Sequence, residues 1–587
     1  MGRRWQSFSL LKENNNSTCK AFNLVGVSFS YRDTNSLVLD DINMECQEGE
    51  WLFILGRNGS GKSTMLKFIN ALLEPKRGVC YVFGLDASIP ENAAIIRSQV
   101  ALVFQNPESQ IVGATVEDDA AFALENQCLS SDDIERRITY GLTKTGLLKK
   151  RMSSVHSLSG GEKQRLTLAG AIAQGARMFL LDEATSMLDS NGRDEILSLF
   201  MELHSEGHTI VQVTHNIEEV RFADRVIIID EGRLVWLGGR KEFFDQAELL
   251  GFDLPTCAKF AKEIGVEDIT DVDEIKRMAL NAPSSDENIM RIKNLFNTAV
   301  PKFGRPYMEI MPSSEGYAFT ESNAISSARS EYSKIETRSL THIYSDGASD
   351  KIALENVSFC AKAGELTSIV GKTGSGKSTL IQYLNAIYTV ENADNGEVLL
   401  DEQNINIFPR EARRKIGMVF QFPEHQLFAQ TVRDELKFAL NNWGIPSDEH
   451  EGCIREACKQ VGIPISMLDR SPFLLSGGEM KAVCIASALV TKPRWLILDE
   501  PVAGLDSRSK RELSLLLNEL KLAGTGILTV THDLEFALLN SDRIIVLNEG
   551  KLVCEGIPEA TARFLHESRV LKLPDIVNLW IQFRGTS

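Results

Sequence analysis

The residues best equipped for chemistry are a lysine and a serine at the end of a glycine-rich loop. Gly56–Thr64 reads GRNGSGKST, behind the apolar run Trp51–Leu55 (WLFIL) and ahead of Met65–Leu73 (MLKFINALL), which has helical spacing. Strand, glycine-rich loop and helix in that order form the setting in which such a loop binds phosphate. Backbone N–H groups from Gly56, Asn58, Gly59 and Gly61 can turn toward phosphate oxygens, and the helix N-terminus adds partial positive charge. Lys62 would reach the β- and γ-phosphates of a nucleotide, Ser63 would take a Mg²⁺ position, and Thr64 completes the turn. An ordinary glycine-rich turn is the plain alternative, and the Gly-Lys-Ser-Thr ending after a buried-type strand argues against it.

The loop occurs twice. Gly371–Thr379 reads GKTGSGKST behind Leu366–Val370, placing Gly371, Thr373, Gly374, Gly376, Lys377, Ser378 and Thr379 in the same roles. Lys62 and Lys377 are 315 positions apart, and Gln105 and Gln421 are 316 apart. Ser159 and Ser476, Asp182 and Asp499, Glu183 and Glu500, and His215 and His532 are each 317 apart. Leu254-Pro255 returns as Leu573-Pro574 after 319. Chance does not hold such a register, so the chain is two duplicated halves.

Each repeated position has a use beside a bound nucleotide. Asp182 and Asp499 end apolar strands (MFLLD, WLILD), where a carboxylate can hold Mg²⁺ through water opposite the loop serine. Glu183 and Glu500 follow directly, suited to orient or deprotonate a water in line with the γ-phosphate. His215 and His532 follow the strand ends VQVTH and LTVTH, within reach of the same phosphate. Gln105 and Gln421 end VALVFQ and IGMVFQ and can add a water or metal contact. LSGGEKQR (Leu158–Arg165) and LSGGEMK (Leu475–Lys481) set Ser159, Gly160 and Gly161, and Ser476, Gly477 and Gly478, ahead of a helix as a second anion nest. A serine N-cap is the structural alternative there. Tyr31 and Tyr344, upstream of each loop, can stack on adenine or serve as core tyrosines.

The elements around these residues read as parallel α/β structure. Short apolar runs such as Met178–Leu181, Ile210–Val213 and Val226–Ile229 alternate with helical patterns, and Trp495–Leu498, Gly526–Val530 and Ile544–Leu547 match them in the second half. The expected division is a polar tail (1–20), a first domain (21–240) with a helical extension (241–281), a linker (282–334), and a second domain (335–557) with a shorter helical extension (558–587). The Ser-, Asn-, Pro- and Gly-rich linker suits a flexible tether, with a short helix over Glu287–Phe296 or a docking segment as variants.

The 587 residues carry a net charge of −17, and the sequence pI is about 5.2. That balance argues against nucleic-acid binding, which wants a basic face. Ten cysteines form no CxxC pair or Cys/His cluster and read as reduced thiols. The start, MGRRWQSFSLLKENNNS, lacks the apolar stretch of a signal peptide, and Gln6 replaces the Ser or Thr of a myristoylation motif. No apolar run approaches the roughly 20 residues that cross a bilayer, so any membrane part is expected in another protein.

Together these motifs resemble the ATP-binding cassette (ABC) ATPases, over both halves and nearly the whole chain. The resemblance implies two P-loop ABC nucleotide-binding domains, each with a helical signature subdomain. ATP and Mg²⁺ would be the cofactors. It also implies cassettes packed head to tail as an intramolecular pseudo-dimer. Lys62, Asp182, Glu183 and His215 would then face Ser476, and Lys377, Asp499, Glu500 and His532 would face Ser159. With both glutamates and both histidines present, two competent sites are expected. Glu162 and Glu479 stand where the family usually has glutamine, with little loss expected, and Lys481-Ala482 stands where two arginines are common.

QNPESQIVGATVEDDAAFALEN with DEATSMLD, and QFPEHQLFAQTVRDELKFALNN with DEPVAGLD, resemble the two different ATPase subunits of energy-coupling factor (ECF) transporters, importers of vitamins and transition-metal ions. The Leu-Pro tails look similar too. The resemblance implies a membrane scaffold (T component), a substrate-capturing membrane S component, and a peripheral place on the cytoplasmic face of the membrane. Glu108, Gln110, Ile111 and Val112, with Glu424, Gln426, Leu427 and Phe428, would line grooves for basic coupling helices, with the apolar members as core residues the alternative. Rival readings are a soluble twin-cassette protein of translation or DNA repair, a tandem sugar-importer ATPase, and a non-hydrolysing nucleotide clamp.

Overall fold

The computed structural model describes residues 19–31, 37–264 except 58, 128, 187 and 189, scattered positions from 266 to 278, 310–313, 316–319, 333–345, and 350–585 except 391–394 and 506. In the first half a six-stranded sheet runs in the order Arg233–Gly239, Arg225–Asp230, Trp51–Leu55, Thr209–Val213, Met178–Asp182, Val100–Val103. All neighbours pair in parallel except the first two. The second half repeats that order with Lys551–Gly556, Arg543–Asn548, Leu366–Gly371, Gly526–Thr531, Trp495–Asp499 and Ile416–Val419. The loop-bearing strand is central in each and buried along its whole length, as a parallel strand covered on both faces must be.

Both faces are covered by different partners. On one, an antiparallel sheet containing Lys20–Phe29 and Leu39–Gln47 packs with the loop helix Lys62–Ile69, joining Phe22 and Phe68 to Leu52, Leu180 and Val211. On the other, Trp51, Phe53 and Phe179 pack against Phe200, Leu203 and Phe243. Helices Val116–Glu125, Ser131–Lys144 and Gly160–Gln174 form a separate core around Val116, Leu124, Leu142 and Leu166. The second half carries its own equivalents.

The extensions join the halves. Helix Thr256–Ile264 meets helix Asp575–Gly585, its counterpart at the 319-residue offset. Phe260 and Ala261 share one buried cluster with Leu573, Val577 and Trp580. At roughly 25 cal/mol per Å² of apolar surface, such side chains hold the halves far more firmly than surface charges can.

Four sequence expectations need comment. The loop helix begins at Lys62, three residues before the apolar spacing suggested, because the polar Lys62 and Ser63 form its first turn. Inside the segment read as a linker, Ile310–Ser313 and Gly316–Phe319 form a hairpin, and Tyr317 pairs in parallel with Cys554 at the edge of the second sheet. Leu427 lies in the core, 4% exposed, and does not line a groove. The short helix over 287–296 and the tail over 1–18 lie outside the described residues.

Candidate functional site

Each phosphate loop is shaped by glycines that no other residue can replace. Gly61 has φ 101°, and a Cβ there would stand 2.6 Å from Leu39 Cδ2 and 2.8 Å from Val38 O. Gly376 repeats this with φ 99° and Ala353 O at 2.3 Å. A left-handed residue without a side chain therefore starts each helix. Lys62 Nζ donates to Gly56 O (2.9 Å) and Arg57 O (2.7 Å), curling the loop around its own ammonium. Lys377 Nζ does the same to Gly371 O and Lys372 O, both at 2.8 Å. The buried hydroxyls of Ser60 and Ser375, at the base of the two loops, find no hydrogen-bond partner among the described residues. Asn58 lies outside the described residues, and Thr373 is exposed on its loop.

Strand ends bring the carboxylates to the loops. Ser63 Oγ donates to Asp182 Oδ1 at 2.9 Å, so hydroxyl and carboxylate already share one point. Burial pushes the Asp182 carboxyl up, with the Ser63 bond pulling back. Burial and then the neighbouring Glu500 charge raise Asp499 to about 7. Hard oxygens from a serine and an aspartate are the ligand type Mg²⁺ takes beside nucleotide phosphates, and the orphan Ser60 and Ser375 hydroxyls suit phosphate oxygens. The residues therefore fit Mg²⁺ and ATP.

The glutamates are held, not loose. Glu183 and Glu500 sit at φ 51° and 48°, a left-handed conformation that costs a non-glycine residue on the order of 1 kcal/mol or more and clusters at working sites. Gln105 Nε2 donates to Glu183 Oε2 at 2.8 Å. His215 Nε2 lies 2.9 Å from Glu183 Oε1, off the line a hydrogen bond needs. In the second half His532 Nδ1 stands 2.9 Å from Glu500 Oε2, and the His532 backbone N–H donates to the same carboxylate. Burial alone would raise Glu500, but the facing His532 brings it below its ordinary value.

The signature stretches are both N-caps and exposed nests. Ser159 Oγ accepts from Glu162 N (3.3 Å), while Glu162 Oε2 accepts from Ser159 N (3.0 Å). Ser476 and Glu479 form the same reciprocal box. The glutamate at this family position is thus the second half of a capping box, and in the first half Lys150 neutralises it at 2.6 Å. Gly160 and Gly477 open the helices with nothing within 4 Å of a would-be Cβ. Tyr31 and Tyr344, about two-fifths exposed, each bond the loop threonine, Thr64 at 3.2 Å and Thr379 at 3.1 Å. Gln421 keeps the position equivalent to Gln105 after its strand.

A buried carboxylate beside the site had no place in the sequence reading, and a lysine noted there turns out to be buried. Glu219, 1% exposed, accepts from Thr185 Oγ1 (2.7 Å), Gln212 Nε2 (2.7 Å) and Thr214 Oγ1 (2.9 Å). It ties the segment after Glu183 to the segment before His215. Burial pushes its carboxyl up, while Arg193 and the hydroxyls pull back. The second half has Val502, Thr529 and Phe536 at those places, a mismatch that aligning the halves would have exposed. Lys481 replaces the first half's Gln164 and is buried, donating to Glu500 O (3.0 Å) and Ala503 O (3.1 Å). Desolvation lowers it to about 8.

The second half reaches the first half's site through Val502–Leu505. With Glu183, Thr185, Ser186 and His215 these residues line a cavity of about 330 Å³ between the halves. A Cβ on Gly504 would stand 3.5 Å from Gln105 Nε2.

Twin phosphate loops, strand-end aspartate-glutamate pairs and capped signature helices define a nucleotide-hydrolysing P-loop protein built twice. The ABC transporter family model matches residues 39–186 and 354–503, and the chain belongs to that family as an ATPase with two cassettes. A provisionally named ABC transporter ATP-binding protein of Bifidobacterium longum is 33% identical over 89% of this chain, which spans 64% of that protein's length. One from Methanosarcina mazei is 30% identical over 90% of this chain and 88% of its own length. The solved structure of cbiO1 from Clostridium perfringens, described as part of the ABC transporter complex cbiONQ, shares 32% identity over 40% of this chain and 93% of its own. Its TM-score is 0.37.

Proposed function

We propose that the chain is the ATP-hydrolysing motor of an ECF-type importer for vitamins or transition-metal ions, docked on the cytoplasmic face of the membrane against a T-component scaffold that also holds an S component. The observation that carries this reading is a pair of uncovered apolar spots, one beside each Q-loop stretch. Val112 and Phe122 are 63% and 52% exposed; Phe428 and Phe438, at the same register, are 58% and 47% exposed. Glu108, paired with Lys163, and Glu424 precede Val112 and Phe428 by four residues and are exposed. Apolar pairs flanked by carboxylates suit a basic, amphipathic coupling helix. Leu427 faces the core, and Gln110 and Gln426 spend their carbonyls on the Phe104 and Phe420 N–H groups, so Val112, Phe428 and the glutamates carry the docking role. No helix among the described residues is long and apolar enough to cross a membrane.

ATP with Mg²⁺ supplies the phosphate that is cleaved. Lys62 and Lys377 bind its oxygens, and Ser63 with Asp182, and Ser378 with Asp499, would hold the cation. Glu183 and Glu500 orient water and take its proton, and His215 and His532 fix the carboxylates. Ser476 completes the first site and Ser159 the second. Affinity purification from membranes tests the assignment. A small polytopic scaffold with an S component should copurify, and Glu108→Arg with Glu424→Arg should remove the scaffold. Recovery of ribosomes or a sugar permease pair, or undiminished scaffold binding by the double variant, refutes it. Glu183→Gln and Glu500→Gln, made separately, should each lower phosphate release; one silent change refutes two competent sites.

A further inference from the structure

Of the ion pairs that cross the boundary between the halves among the described residues, two are charge-reversed copies of each other. Lys572 pairs with Asp194, and Arg511 pairs with Asp253. Asp194 and Arg511 are equivalent positions at the 317 offset; Asp253 and Lys572 are equivalent at 319. The fold therefore places one contact twice, related by the pseudo-twofold, with both charges exchanged in the second copy. A third contact is one-sided. Arg221 lies 3.5 Å from Asp575, while Thr256, equivalent to Asp575, donates to Glu535 at 2.5 Å. Leu538 takes the place of Arg221 in the second half.

We infer that these residues specify which halves pair: first with second is matched, and like with like is opposed. Two first halves packed in this geometry would set Asp194 against Asp253 twice. Two second halves would set Arg511 against Lys572 twice and bring Asp575 against Glu535 with no arginine to neutralise them. The apolar helix crossing supplies adhesion without discrimination, because both crossing helices present apolar residues there. Specificity is a difference between pairings and needs a repulsive element against the wrong one, which the exchanged charges provide. The inference stands on the fold and holds whatever the protein transports.

Each half has its own buried cores, so the folded full chain can be cut once, at a protease site placed near residue 300, ahead of the hairpin that pairs with the second sheet. The cut protein, without nucleotide, is diluted until the halves separate, concentrated again, and the pairs are counted by native mass spectrometry. The ratio of first–second pairs to like pairs should exceed its statistical value of about one by about tenfold or more, given two matches gained and two like-charge contacts avoided. Asp194→Arg with Arg511→Asp matches like with like and opposes the mixed pair, so first–first and second–second pairs should rise by about the same factor. Adding Asp253→Arg and Lys572→Asp should restore the mixed pair, which also shows that the variants fold. A statistical mixture from the unmodified chain, an unchanged mixed preference in the double variant, or failure of the fourfold variant to restore it would each overturn the inference.

Discussion

Replacing Glu219 by leucine removes the acceptor for three inward-facing donors. Gln212, Thr185 and Thr214 are 0, 2 and 3% exposed, so water cannot take over from the carboxylate. Gln212 Nε2 has no second acceptor among the described residues, and its own Oε1 already accepts from Trp51 Nε1 at 3.2 Å. A buried donor left unsatisfied costs about 1–3 kcal/mol, and breaking a buried charged network costs about 3–5 kcal/mol; we expect the loss to fall in that range. For a half of this size, at about 2–4 °C per kcal/mol, the first transition should drop by roughly 10 °C. Differential scanning calorimetry on the full chain reads it. Glu219→Gln keeps an acceptor, and the hydroxyls can rotate to accept from its amide, so its loss should be less than half as large. Adding Thr185→Val to Glu219→Leu removes one of the three orphaned donors and leaves Gln212 in place for Trp51; part of the lost stability should return. A Glu219→Leu protein melting within about 1 °C of the parent, or a double variant no better than the single one, refutes this account.

Three further outcomes follow from the same geometry. Lys481 is held at about 8 when folded, against 10.5 ordinarily, so the unfolded chain binds its proton more tightly between those values. Stability should therefore rise with pH across that window in the parent relative to Lys481→Met, by up to about 3 kcal/mol, read by urea titration at pH 7.5 and 10; equal slopes refute it. Glu162→Ala and Glu479→Ala each remove half of a capping box and should cost about 1 kcal/mol, whereas the Gln variants should melt like the parent. Gly376→Ala should abolish nucleotide binding to the second loop while leaving the first near normal, measured by calorimetric titration; retention of both sites would refute the steric argument.

Much of this was legible in sequence because it is local or repeated. The phosphate loops, the strand-end carboxylates and the parallel alternation rest on short windows, and the duplication doubled every signal. Strand bounds drifted by a residue, since the polar Thr209, Arg225 and Asp230 extend strands beyond their apolar runs. Leu427 was misplaced because an apolar residue beside a loop reads the same whether it faces core or solvent. Glu219 stood out in neither window nor motif, because Thr185 lies 34 positions away and the nearer Gln212 and Thr214 are ordinary in type. The crossing of the extensions depends on contacts more than 250 residues apart, which no window can show.

Gly504 has one more consequence. Nothing but a bare peptide plane lies between the second half's loop and the amide that restrains Glu183. A side chain at this position would meet, from the opposite half, the amide that donates to Glu183: a Cβ on Gly504 would stand 3.5 Å from Gln105 Nε2. In mechanical terms the carboxylate of one cassette is braced by an amide that the opposite cassette's loop crowds.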